Sequence, residues 1–127
     1  MTSSGFGFGF PKAERIRKRA EYLRIQSQGR KLVTKSLLAF TVGSPQAPGS
    51  PPRLGITVSK RVGVAVVRTR VKRLLREVFR QNKDRLPRGL QLVIVAKADA
   101  ADLDYARIHA EFLEICRRCA PRSQGSL

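Results

Sequence analysis

Asp99, Asp102 and Asp104 are the only acids of this 127-residue chain that cluster in sequence. A two-metal nuclease needs several carboxylates converging on ions about 4 Å apart, and this group is the one candidate. The same residues precede an amphipathic segment, where carboxylates cap free amides and complement the helix dipole; capping is the favoured reading. His109 is the sole histidine, and no serine, cysteine or carboxylate is spaced to complete a triad with it. Cys116 and Cys119 form a C-x-x-C. Zinc wants four ligands, however, and a redox pair would follow a strand at a helix N-terminus, so two partly buried thiols are the plainer reading. Gly5, Gly7 and Gly9 lack the spacing of a dinucleotide loop, and no Walker pattern occurs. Acting alone, the chain reads as no enzyme, with neither a catalytic residue nor a metal site expected in the protein itself.

What the sequence does organise is positive charge. Arg68, Arg70, Lys72, Arg73 and Arg76 fall within nine residues that contain no acid. A solvated face normally mixes both signs, and like charges at i, i+4 spacing repel. Phosphates supply the missing counter-charge, since arginine forks grip their oxygens and binding releases condensed counterions. The pattern points to nucleic acid. An anionic membrane fits less well, because the aliphatic stripe of the same segment is needed for the core. Residues 54–59 present Gly55, Thr57 and Ser59 on one side, a flat face suited to an extended single strand. Tyr22 and Phe40 are stacking platforms beside it, with plain core packing as the alternative for both rings. No helix-turn-helix or zinc-finger pattern is visible.

The elements that position these residues follow from periodicity. Residues 12–28 read as a helix, with Ile16, Ala20 and Leu23 at i, i+4, i+7, Gly29 as its stop and a basic remainder that includes Arg15, Lys18 and Arg19. A short strand is expected over 37–42. Residues 43–52, with four prolines and two glycines, read as a loop and a weak hairpin connection. A half-buried strand follows over 54–59. From Val67 onward, Val71, Leu74, Leu75 and Val78 share one stripe of a second helix, opposite Arg68, Lys72, Arg73, Arg76 and Arg80. Residues 92–96 have no polar interruption, as expected of a strand covered on both faces. Asp104 is placed to cap a last helix that turns Tyr105, Ile108, Phe112, Ile115 and Cys119 inward. The order α-β-β-α-β-α implies an α+β fold, an α/β sandwich with one mixed central sheet and helices packed on it.

Composition sets the bounds. One domain is the expectation at this length, and 42% hydrophobic residues suffice for a core. A net charge of +17, from 26 Lys and Arg against 9 Asp and Glu, implies a polyanionic partner. No run of about 18 apolar residues exists to span a bilayer. The opening Gly/Phe alternation has no basic region or continuous apolar stretch, so a secretory signal is not expected and a cytoplasmic location is. Residues 1–11 read as a flexible tail, 12–118 as the domain and 119–127 as a second tail.

Residues 53–77 read RLGITVSKRVGVAVVRTRVKRLLRE. This segment resembles the bacterial ribonuclease P protein subunit, whose signature runs roughly R-x-G-x-x-V-S-K-x-x-G-x-A-V-x-R-N-R-x-K-R-x-x-R-E. The basic first helix, residues 92–97 and the closing helix also fit, so the resemblance covers residues 12–118. It implies the order α-β-β-β-α-β-α, with an extra short strand near 61–64 and a left-handed crossover after the third strand, where ordinary connections are right-handed.

The resemblance also implies a role as protein cofactor to a catalytic RNA. That RNA, with Mg²⁺, hydrolyses precursor tRNA to release the 5′ leader and leave a 5′ phosphate. The protein binds the RNA subunit, one protein per RNA, holds the leader and strengthens metal binding. Carried over by position, Lys60, Arg61, Arg68, Thr69, Arg70, Lys72, Arg73 and Arg76 face the catalytic RNA. Arg15, Lys18, Tyr22, Gln26, Phe40, Thr57 and Ser59 line the leader cleft. Two residues depart from the pattern. Thr69 stands where the signature has Asn, keeping a donor and an acceptor in another geometry. Gln26 stands where some relatives carry a second aromatic, so hydrogen bonding partly replaces stacking there. Two other classes remain open: a ribosome-associated structural protein, and a protein-only nuclease built on Asp99, Asp102 and Asp104.

Overall fold

The computed structural model describes residues 15–16, 18–43 and 51–119. The expected tail over 1–11, the expected helix start at 12–14 and most of the loop after Gly43 lie outside these residues. Residues 120–127 do so as well.

Seven main elements follow in order: α1 (Arg19–Gln28), β1 (Arg30–Val33), β2 (Leu37–Gly43), β3 (Arg53–Val58), α2 (Ala65–Asn82), β4 (Leu90–Ala96) and α3 (Tyr105–Cys119). Short 3-10 turns at Lys83–Arg85 and Ala98–Asp102 flank β4. The strands form one mixed sheet in the order β1-β2-β4-β3, so the α+β architecture is as read from the sequence. β1, β2 and β4 are antiparallel neighbours, whereas β3 runs parallel to β4.

Two layers of apolar side chains hold the sheet. On one face α2 brings Val71, Leu75, Val78 and Phe79, and α3 brings Ile108, Phe112, Ile115 and Cys116. They pack on Leu37 and Ala39 of β2, Leu54 and Val58 of β3, and Leu92, Ile94 and Ala96 of β4. Phe79 and Phe112 meet edge to face at 6.4 Å, the arrangement that ring quadrupoles prefer. On the other face a smaller cluster joins Ile16, Ile25 and Val93, with Tyr22, Phe40 and Val95 packed against it. Alternation of side chains along β4 therefore serves both layers, which is why its sequence is apolar throughout.

Five expectations need correction. Among the described residues the first helix begins at Arg19: Lys18 is extended, and Ile16 instead donates its N–H to Leu54 O (2.9 Å) beside the edge of β3. Its stripe differs too, for Ala20 is exposed and Leu23 is 52% exposed, while Ile25 is the buried contact. The additional strand is Arg30–Val33, not 61–64; there Ser59 O and Lys60 O accept the Val62 and Gly63 N–H groups in successive turns. Finally, β2 and β3 form no hairpin, because β4 is inserted between them, and the strand read as 54–59 ends at Val58.

Candidate nucleic-acid interface

α1 is fastened across the sheet by polar contacts from its own residues. The Arg53 guanidinium grips both Glu21 carboxylate oxygens (3.0 and 3.2 Å) and donates to Arg15 O (3.0 Å). This pairing holds the Glu21 carboxyl below the usual carboxylate range. Arg24 donates to the buried Gln91 of β4 (2.7 Å). At its far end Gly29 donates to Ile25 O (2.7 Å), and any Cβ there would lie 2.4 Å from that oxygen. Glycine is what lets β1 leave the helix against β2.

Tyr22 is the centre of this face. Its hydroxyl accepts the Ile56 N–H (3.1 Å) and donates to Ile56 O (3.4 Å), satisfying the outward backbone groups of edge strand β3. Its ring lies so close over Gly55 that a Cβ at that position would stand 2.8 Å from Cζ. Gly55 is accordingly covered, not exposed as the sequence suggested. Phe40 lies in the same cross-sheet row, opposite Val93, which is itself opposite Gly55. It is half-buried against Val93 and Ile25, so the ring serves the small core while keeping one side open.

Two recesses flank Tyr22. One, of about 440 Å³, is lined by Arg19, Tyr22, Leu23, Gln26 and Thr57. The other, of about 290 Å³, joins Tyr22 to Arg15, Ile16, Lys72 and Arg76. The sequence-predicted Arg15, Tyr22, Gln26 and Thr57 thus meet on one surface. Leu23 and Arg19 were missed as lining residues, since Leu23 reads as core by spacing. Lys18 is exposed, its charge acting on Glu21. Ser59 sits past the strand in the turn, where its hydroxyl accepts the Arg61 N–H (3.3 Å).

The cations of α2 divide into two kinds. Arg68 donates to Gly63 O (3.2 Å), bracing the turn that carries exposed Lys60 and Arg61. Arg70 donates to Leu103 O (2.9 Å) and Ala101 O (2.6 Å), stapling α2 to the segment before α3. Lys72, Arg73 and Arg76 have no acid within ion-pair distance among the described residues. Glu77, the nearest acid in sequence, is turned to Arg80 and Gln81, so it leaves the basic face unneutralised. Thr69 is exposed and lines one recess with Arg70 and Arg73.

The remaining candidates are placed elsewhere. Asp104 accepts the Arg107 N–H (3.0 Å) and caps α3, while Asp99 and Asp102 are exposed. Among the described residues no three of His, Cys, Asp and Glu converge. His109 rests against Tyr105, with ring centroids 5.6 Å apart. Burial pushes the Cys116 thiol up to about 12 and the Cys119 thiol to about 11, which keeps both protonated and unreactive.

A sequence model of the family described as ribonuclease P matches residues 10–120. The chain belongs to this family. Ribonuclease P protein components of Desulfovibrio desulfuricans and Syntrophus aciditrophicus are each 45% identical to it. The first aligns over 91% of this chain and 90% of its own length, the second over 79% and 82%. Solved ribonuclease P proteins superimpose closely. That of Staphylococcus aureus has a TM-score of 0.77 at 28% identity, covering 86% of this chain and 97% of that one. That of Thermotoga maritima has a TM-score of 0.75 at 27% identity, covering 85% and 99%. In ribonuclease P terms, the signature segment forms β3, the turn after it and α2 as far as Glu77.

Proposed function

We propose that this chain acts in tRNA maturation as the protein component of ribonuclease P, with two RNA-facing surfaces. The first is the turn bearing Lys60 and Arg61 together with Arg68, Thr69, Arg70, Lys72, Arg73 and Arg76 of α2, set against the catalytic RNA. The second is the α1 face, where Arg15, Lys18, Tyr22, Gln26, Phe40, Thr57 and Ser59 surround the path of the 5′ leader. The observation that carries this reading is their continuity: Tyr22 shares one recess with Lys72 and Arg76 and the other with Gln26 and Thr57. A strand lying over Tyr22 would meet stacking and hydrogen-bonding groups on one side and phosphate-binding cations on the other.

In this reading hydrolysis belongs to the RNA, and Mg²⁺ is held by RNA phosphates. The protein's part is to lower phosphate repulsion where RNA subunit and leader approach, which raises the local affinity for metal. Action in the cytoplasm, at one protein per RNA, goes with it. Among the described residues no helix is long and apolar enough to cross a membrane.

Precursor tRNA cleavage at low Mg²⁺ tests the proposal, comparing a bacterial catalytic RNA alone, the same RNA with this protein, and the protein alone. Stimulation only in the mixture is the expected result. Cleavage by the protein alone would overturn it in favour of the acidic cluster, and no stimulation in favour of a ribosome-associated role.

A further inference from the structure

Val66 is 77% exposed in the first turn of α2, next to exposed Ala65. β-Branched residues lose side-chain freedom in a helix, so Val66 is not there for helix stability, and it does not contribute to the core. With Ala65, Thr69, Arg70 and Arg73, Val66 lines an open recess of about 490 Å³. One wall is fixed, because the Arg70 guanidinium is tied to two backbone carbonyls. The other carries Arg73, which has no acidic partner among the described residues. Exposed Lys60 and Arg61 lie in the turn just before it.

An apolar floor ringed by cations asks for a ligand that is flat and apolar in one part and anionic in the next. A nucleotide extruded from its stack has that form. Its base would lie on the Ala65 and Val66 methyls, as bases do against apolar side chains, its edge would reach the Thr69 hydroxyl, and a flanking phosphate would meet Arg73. A second copy of a chain carrying +17 would bring like charge to the same place. A lipid surface needs a far larger apolar face than one alanine and one valine. We infer that the Ala65–Val66 floor is a docking site for one unstacked base of the RNA partner, an apolar contact set within a phosphate-binding face. This rests on the RNA-binding reading above.

The test uses the full chain and a bacterial ribonuclease P RNA in a salt titration. The double substitution Ala65→Ser, Val66→Ser should weaken binding about tenfold, the scale of burying one aliphatic side chain, at every salt concentration and with the salt slope unchanged. Arg73→Ala should instead reduce the slope by about one. The chain has no tryptophan, so Val66→Trp supplies a single reporter whose emission should be quenched by stacking when RNA is added. Wild-type affinity in the double variant, an altered slope, or unquenched Val66→Trp emission in an RNA-bound sample would each overturn the inference and leave the RNA-binding reading standing. Failure of the wild-type chain to bind the RNA would remove both. Loss of self-association in the double variant, read by sedimentation, would give the floor to a second copy instead.

Discussion

In the proposed reading Tyr22 carries a structural task beside its recognition one. Its ring covers Gly55 while its hydroxyl completes the hydrogen bonding of Ile56. Burial raises its titration point, so the proton needed for the Ile56 O contact stays in place throughout the physiological range. Tyr22→Phe should therefore cost about 1–2 kcal/mol in urea unfolding, the scale of stranding a partly buried backbone group. Leader affinity should stay within about twofold, because the stacking ring remains; Tyr22→Ala should lose both. Glu21 gives a pH signature. Its pKa is lowered by Arg53, so the pair stabilises the fold above the ordinary carboxylate value near 4.5 and the contribution fades as pH falls below it. Glu21→Gln should destabilise by about 1 kcal/mol at pH 7. The difference from wild type should shrink steadily on acidification, and a pH-independent difference would show that charge is not the cause.

At the scale of elements, α2 and α3 were legible because each has a continuous buried stripe with cations or mixed polar residues opposite. α1 and β1 were not. α1 buries a single residue fully, Ile25, and is held by polar contacts to Gln91 and Arg53, partners 67 and 32 residues away. β1 buries only Leu32, and its four residues are too few to show the alternation of a half-buried strand. The division among the α2 arginines was equally hidden, since the Arg70 staple reaches carbonyls 31 and 33 residues on. That division is testable. Arg70→Ala should lower both RNA affinity and stability, the latter by about 1–2 kcal/mol for two lost charge-assisted hydrogen bonds, whereas Arg73→Ala should lower affinity alone. The join between α1 and β1 is similarly specific. Gly29→Ala forces a Cβ against Ile25 O and should lower stability by about 2 kcal/mol or more in thermal unfolding.

For the whole molecule, charge sets two opposed responses. A net +17 on 127 residues repels itself in the compact state, so moderate salt should raise the unfolding midpoint of the free protein. The same salt should weaken RNA binding steeply by removing the gain from counterion release. Thermal unfolding and binding measured across one salt series should therefore move in opposite directions. The sequence by itself determined the polyanionic partner, the two amphipathic helices, the buried central strand and the family signature, because each is written in residues close along the chain. Only the tertiary structure decided that β4 separates β2 from β3, that Tyr22 closes the β3 edge, which arginines are tied, and that Val66 stands open beside the cations. Those outcomes depend on contacts between residues far apart in sequence, where packing and edge hydrogen bonding, not local periodicity, select the arrangement.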